Sequence, residues 1–78
     1  MVKVRLNVSA TYEGEHAPGD DVVCDVEFAR RTVLFGHAVL LENDAPMTFE
    51  AACQALRVSA DDLAATADIR AASQLNGG

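Results

Sequence analysis

The side chains best suited to chemistry in this 78-residue chain are two histidines, two cysteines and a run of acids. Cys24 precedes Asp25, and a histidine brought close by the fold, His16 or His37, could serve as the base of a thiol nucleophile. The sequence has no G-x-S-x-G elbow and no glycine-rich phosphate loop. A domain of this size also offers little room for a water-excluding cleft. We therefore predict a protein that is not an enzyme, with no catalytic residue and no cofactor.

Metal binding is the second chemistry that these side chains could support. Neither histidine has a second His or Cys at ligand spacing, which disfavours zinc. The acids between Glu13 and Glu27 lack the regular spacing of an EF-hand loop, and two of them follow the turn-forming pair Pro18-Gly19. These acids are Glu13, Glu15, Asp20, Asp21, Asp25 and Glu27. They predict a solvated acidic face and no metal site.

The two cysteines indicate the compartment in which the protein works. Cys24 and Cys53 are isolated and have apolar neighbours, which is typical of buried free thiols. The sequence shows neither a secretory signal nor an apolar run long enough to cross a bilayer. We therefore expect free core thiols, no disulfide and a reducing cytoplasm.

The charge balance limits the partners, because the net charge is −6 with 12 acidic and 6 basic residues. Nucleic acid is disfavoured, since binding to phosphates needs clustered Lys and Arg. A membrane surface is disfavoured for the same reason, and a basic protein surface is favoured. Residues 48–70 have the outline of a helix-turn-helix, but the second helix would bring three aspartates and only Arg70 to the DNA. An acidic helix-turn-helix regulator is therefore the least favoured function.

A half-buried strand opens the chain, because apolar and polar residues alternate strictly from Val2 to Ala10. Lys3 and Arg5 fall on the polar face and should meet water, as charged residues do on edge strands. We predict a first strand over residues 2–12, a second over 21–24 after the Pro-Gly turn, and a third over 38–41. The first two should pair antiparallel, because their connection is too short for a parallel crossover.

A helix is predicted over residues 26–35, with Asp25 as its N-cap and Gly36 as the residue that ends it. The helix is apolar on two sides. Phe28 and Phe35 share one side, and the other side carries Val26, Ala29 and Val33. One side can pack on the sheet, so the other must be covered by the C-terminal helices or by another molecule.

Two helices are predicted near the C-terminus. Thr48 can cap the first, and Ser59 with Asp62 resembles a capping box that starts the second at Ala60, to end near Gln74. Their apolar stripes are Phe49, Ala52, Cys53 and Leu56 in the first helix, and Leu63, Ala64, Ala67, Ala71 and Leu75 in the second. The second stripe is rich in alanine and buries little area, so this helix should dock weakly or only in an assembly.

These elements predict an α+β fold, in which a small antiparallel three-stranded sheet with one packed helix is followed by a C-terminal pair of helices. We expect a single domain over residues 1–78, divided into a strand-strand-helix-strand unit at 1–44, a helical hairpin at 45–76 and a flexible tail at 77–78. The terminal Gly77-Gly78 suggests an alternative function, a ubiquitin-like sulfur carrier or protein modifier. In that family the two glycines follow a strand, whereas here they follow a predicted helix.

The order of the motifs in residues 2–41 resembles small structural proteins encoded in tailed-phage and prophage head and tail gene clusters. In that family an opening strand, a glycine loop, Pro-Gly-Asp, a short strand and a helix with an inward alanine precede a glycine and a last strand. The matching residues are Val4-Arg5-Leu6, Tyr12-Glu13-Gly14, Pro18-Gly19-Asp20, Val22-Val23, Ala29, Val33 and Gly36-His37-Ala38-Val39. The resemblance assigns no catalytic or binding residue.

The resemblance implies a structural role in a virion, as a head-associated, cementing or connector protein. The partner would be a larger shell or connector protein, further copies of the chain, or both. The protein would reside in the host cytoplasm during assembly and then in the virion. From the residues themselves, the second apolar side of the helix and the expected edge strand predict the interface, with Phe28, Phe35, Lys3 and Arg5 as its candidate residues.

Overall fold

The computed structural model, which describes the backbone of residues 1–76 and the side chains of residues 1–73, is an α+β fold with an antiparallel sheet. Its strands are β1 (Val2–Leu6), β2 (Ala10–Thr11), β3 (Glu15–His16), β4 (Asp21–Cys24), β5 (Ala38–Glu42) and β6 (Ala45–Pro46). Its helices are α1 (Val26–Leu34), α2 (Phe49–Ala55) and α3 (Ala60–Asn76). Within these residues the main sheet has four strands in the order β4-β1-β5-β6, rather than three, and β2 and β3 form a separate ribbon.

The first strand is central in the sheet, which corrects the prediction that Lys3 and Arg5 mark an edge. β1 pairs antiparallel with β4, as predicted, and also with β5, so that Val4 lies between Val22 and Leu40. Charged residues are tolerated on a central strand here because no helix of residues 1–76 lies over one face of the sheet. The strand is also shorter than predicted, since the chain bends after Leu6 and continues into the β2–β3 ribbon.

The Pro-Gly turn reverses the chain where predicted. Gly19 adopts a φ of +94°, and its amide donates to the carbonyl of Leu6 at 2.7 Å. The amide of Leu6 in turn donates to the carbonyl of Asp20 at 2.9 Å. These two hydrogen bonds join the end of β1 to the start of β4 and fix their antiparallel register.

The faces of α1 differ from the prediction. Asp25 caps the helix as expected, because its carboxylate accepts a hydrogen bond from the amide of Phe28 at 2.8 Å. Val26 is 39% exposed, however, whereas Phe28 is only 8% exposed and belongs to the core. The ring of Tyr12, from the β2–β3 ribbon, lies 4.6 Å from the ring of Phe28. The ribbon folds back over α1, so the chain itself covers the phenylalanine that was expected to face a partner.

α1 ends at Gly36 as predicted, and the glycine is required there for two reasons. Its φ is +77°, which other residues adopt only with strain. A Cβ at this position would also lie 3.4 Å from the Cβ of Ser73 in α3, at the short end of ordinary van der Waals contact. The close approach of α3 to the end of α1 therefore leaves little space for a side chain here.

Replacing Gly36 by alanine is expected to lower the free energy of unfolding by about 1–2 kcal/mol, because the left-handed conformation disfavours a Cβ. Urea denaturation followed by circular dichroism measures the loss. Gly36→Asn is the matched variant, since asparagine tolerates this conformation better but adds the same Cβ beside Ser73. A smaller loss for asparagine assigns the cost to φ, and equal losses assign it to the contact with Ser73. Two variants as stable as the parent would contradict both reasons.

The C-terminal helices begin where their caps predict. The hydroxyl of Thr48 accepts from the amide of Ala51 at 3.2 Å, and that of Ser59 accepts from the amide of Asp62 at 3.1 Å. α2 buries Ala52, Cys53 and Leu56, as expected, and packs against α1 and β5, while α3 packs against α1. No helix in the described part of the chain is both long and apolar enough to span a membrane.

The packing side of α3 is more polar than the predicted alanine stripe. Ala64, Ala67 and Ala71 are exposed, and the half-buried residues are Leu63, Thr66, Arg70 and Ser73. The reason is that α3 lies over the C-terminal end of α1, where free carbonyls need donors rather than apolar cover. The side chain of Leu75 and the tail predicted at 77–78 lie outside the described residues.

Candidate functional site

One face of the four-stranded sheet has no helix over it within the part of the chain that the structure describes. The buried residues of α1 and α2 join Val4, Leu6 and Leu40 in the core on one side of the sheet. Because side chains alternate along a strand, the residues between these point to the other side. That side, called the open face here, is formed by Lys3, Arg5, Asp21, Val23, Val39 and Leu41.

The open face combines apolar and paired charged side chains. Val23 is 54% exposed and Val39 is half-buried. Leu41 is only 7% exposed, although no helix covers it, because it lies between Lys3 and Pro46 in the strand register. Val39 and Leu41 therefore form an apolar strip along β5, whereas the exposed Val23 on β4 is separated from them by Lys3 and Arg5 of β1.

The two cations on the open face are used within the chain. Arg5 donates to both carboxylate oxygens of Asp21, at 2.8 and 3.2 Å, and Lys3 donates to Asp44 at 2.8 Å. The hydrogen bonds from Arg5 lower the pKa of Asp21, and the hydrogen bond to Asp44 raises the pKa of Lys3. The pKa of Asp21 is lower in the folded protein than in the unfolded chain. The Arg5–Asp21 pair therefore stabilises the fold fully above the ordinary pKa of aspartate, and this stabilisation is lost as the pH falls through the pKa of Asp21 in the folded protein. The open face thus presents neutralised pairs rather than free positive charge.

β4 forms an open edge of the sheet. The amide and carbonyl of Leu6 point to the β4 side, so alternate residues of β1, including Val4, do the same. Val22 and Cys24, which pair with Val4 and Val2, direct their backbone groups toward β1. Asp21 and Val23 alternate with them and direct their backbone groups away from β1. No strand pairs with this side of β4 in the described chain. Asp25, the next outward residue, donates its amide to the hydroxyl of Tyr12 at 3.1 Å, so the β2–β3 ribbon closes one end of this side. The outward amides and carbonyls of Asp21 and Val23, called the β4 edge here, pair with no other strand of the described chain.

The surroundings of the β4 edge are strongly acidic. Residues 6–29 form the β2–β3 ribbon, β4 and the first turn of α1, and they contain six acids with no Lys or Arg. Among the described residues, Asp21 is the member of this group that pairs with a Lys or Arg, while Asp20 lies 3.9 Å from a ring nitrogen of His16. β4 and the elements on either side of it in the chain therefore carry the predicted acidic run.

A groove of about 1020 Å³ lies between β5 and the C-terminal helices. Its cation, Arg70, donates to the carbonyls of Leu34 and Leu63 at 3.0 and 2.8 Å, and its guanidinium carbon lies 4.9 Å from the centre of the Phe49 ring. Ser73 donates to the carbonyl of Phe35 at 3.1 Å. The bonds from Arg70 to Leu34 and from Ser73 to Phe35 join α3 to the end of α1, so these two side chains are committed to the fold.

The residues first considered for chemistry are separated. Cys24 and Cys53 are free thiols in the core, as predicted, and burial raises the pKa of both. A ring nitrogen of His16 lies 2.9 Å from the carbonyl of Tyr12, and His37 lies beside Phe35. Among the described residues, no three His, Cys, Asp or Glu side chains are grouped so that they could hold a metal ion.

The four predicted interface residues do not form one surface. Lys3 and Arg5 share the open face, Phe28 is in the core, and Phe35 lies half-buried at the far end of α1. The apolar strip of the open face was not predicted. A signal for it exists in the sequence, because residues 38–41 and 22–24 are continuous apolar runs, which place apolar side chains on both faces of a strand.

Comparison with known proteins assigns no family to this chain. No protein-family model, curated protein or solved structure gives a significant match. The open face and the β4 edge are therefore the features from which its function can be inferred.

Proposed function

We propose that this protein is a non-enzymatic assembly component that binds another protein through the open face of its sheet. The observation that carries the proposal is that the apolar strip of Val39 and Leu41 and the exposed Val23 lie on a face that no helix of the described chain covers. A one-layer sheet surface with exposed apolar side chains is typical of an interface. The two ion pairs beside the strip suit the polar part of such a contact, where charges favour one partner and orientation over others.

The resemblance of residues 2–41 to small phage structural proteins supports a role in a virion. The proposed partner is a larger shell or connector protein, further copies of this chain, or both. The protein would then be made in the host cytoplasm and become part of the particle. The two alternatives have less support, because α3 is helical where a ubiquitin-like protein has its last strand, and Arg70 of the helix-turn-helix outline is bound to α1.

The test is to co-express the chain with the proteins encoded by the neighbouring genes and to purify the particles that form. We expect mass spectrometry to find the chain in the particle fraction, and Val23→Glu to remove it because a buried unpaired carboxylate opposes docking. Val26→Glu is the control, since it adds the same charge to a similarly exposed valine on α1. Both substitutions are at the surface and should change stability by at most about 0.5 kcal/mol. A chain found only in the free pool, or lost equally with both variants, would contradict the proposal.

A further inference from the structure

We infer that the β4 edge receives an extended, basic segment of the partner protein, which adds a strand to the sheet. The inference rests on the proposed function and names the chemistry of the partner. Two observations carry it together: the outward backbone groups of β4 and the negative charge near them.

The backbone supplies the means of binding. Asp21 and Val23 each present one amide and one carbonyl on the open side of β4. An extended segment that runs beside them can pair with all four groups, as an added strand does in other sheets. The exposed side chain of Val23 would then contact an apolar residue of the new strand on the open face. The added strand would thus place a further apolar side chain on the open face proposed as the interface.

The negative charge near the β4 edge determines which kind of segment can bind there. The six acids of residues 6–29 lie in β4 and in the ribbon and helix turn next to it in the chain, and Arg5 is already paired with Asp21. Lys3 is likewise paired with Asp44. A segment carrying Lys or Arg at alternate positions would therefore gain attraction from Asp20 and the other acids, whereas an acidic segment would be repelled.

A second copy of this chain is disfavoured by the same groups. Antiparallel pairing of two β4 edges must set outward residues opposite each other. Asp21 would face Asp21 of a second copy, or Asp25 if the two Val23 residues are opposed. In the remaining register Asp21 faces Val23, but Asp25 of the second copy then lies next to Asp20. Each register brings carboxylates together between two chains of net charge −6, which destabilises the pair.

The experiment uses backbone NMR of the whole chain and a short, capped peptide of alternating lysine and valine. We expect the amides of Asp21 and Val23 to exchange with solvent about tenfold more slowly at a peptide concentration about ten times its Kd. The amides of Lys3 and Arg5 should be unaffected, because they already pair with β5. A glutamate-valine peptide should give no protection. A lysine-valine peptide with alternate backbone nitrogens methylated should shift the resonances of the acids without protecting the two amides.

Two variants of one residue test the backbone directly. Val23→Pro removes the outward amide at an edge position where proline is tolerated, and Val23→Thr keeps both the amide and the branched side chain. We expect binding of the lysine-valine peptide to be lost with proline and retained with threonine. The inference is overturned if the proline variant binds as well as the parent, if the methylated or acidic peptide protects the edge equally, or if the chain dimerises through β4 instead. Incorporation of the proline variant into particles would refute the inference alone, whereas peptide binding by a chain that is absent from particles would refute the proposed function alone.

Discussion

Replacing Phe28 by alanine is expected to lower the free energy of unfolding by about 3–4 kcal/mol, because the large ring is removed from a closely packed site. The side chain is 8% exposed, and the ring of Tyr12 lies 4.6 Å away. A domain of this length has a total stability of about 4–12 kcal/mol, so the variant should be close to unfolding at room temperature. Urea denaturation followed by circular dichroism and by amide NMR measures the change in the free energy of unfolding.

Val26→Ala is the matched control, since Val26 lies on the same helix and is 39% exposed. It should change the free energy of unfolding by no more than about 0.5 kcal/mol. The sequence predicted the two residues on opposite sides of α1, with Phe28 as a candidate interface residue. If Phe28→Ala kept the stability of the parent and lost only binding to a partner, that assignment would be restored and the packing of Tyr12 on Phe28 would be wrong.

Replacing Arg70 by alanine is expected to release α3 while the sheet stays folded. The substitution removes hydrogen bonds to the carbonyls of Leu34 and Leu63, and the contact with the ring of Phe49. Hydrogen bonds from a charged donor contribute about 2 kcal/mol, so exchange of the α3 amides should become about thirtyfold faster. Hydrogen exchange measured by NMR separates α3 from β1 and β5, which should keep their protection.

Arg57→Ala serves as the control for loss of a positive charge, because Arg57 is exposed and precedes α3. It should leave the exchange of α3 unchanged. Arg70→Lys keeps the charge but cannot reach two carbonyls with a planar group, so its effect should fall near that of alanine. Equal acceleration throughout the sheet would show that α3 unfolds with the rest of the chain, and no acceleration would show that Arg70 does not hold it.

Local features of the fold could be predicted because neighbouring residues determine them. Asp25, Thr48 and Ser59 each cap the helix that follows, and Gly36 ends α1, since caps and turns depend on a few adjacent side chains. The antiparallel pairing of β1 and β4 followed from the short connection between them. Strand order could not be predicted in the same way. Lys3 and Arg5 alternate with apolar residues in an edge strand and equally in a central strand with one open face.

The candidate site was harder to predict because distant residues build it. Whether Phe28 is exposed depends on the fold-back of the ribbon that carries Tyr12, which leaves no periodic signal in α1. The prediction of which side of α3 packs on the rest of the fold was wrong for a related reason. Arg70 and Ser73 donate hydrogen bonds to carbonyls at the end of α1, and the spacing of apolar residues gives no sign of such polar contacts. The acidic run, by contrast, was visible in the sequence, and only its position on β4 and the elements next to it needed the structure.

The central position of β1 also sets an order for folding. Val4 pairs with Val22 and with Leu40, so the second pairing closes a loop about twice as long as the first, at an added entropic cost of about 0.6 kcal/mol. During synthesis, residues 1–35 leave the ribosome before β5 exists, and β1 and β4 can then form a two-stranded ribbon with α1 beside it. Until residues 38–42 emerge, the nascent chain has an unpaired strand edge on each side. The delay between β4 and β5 is therefore the period in which a nascent chain is most exposed to pairing with its neighbours on the same messenger RNA.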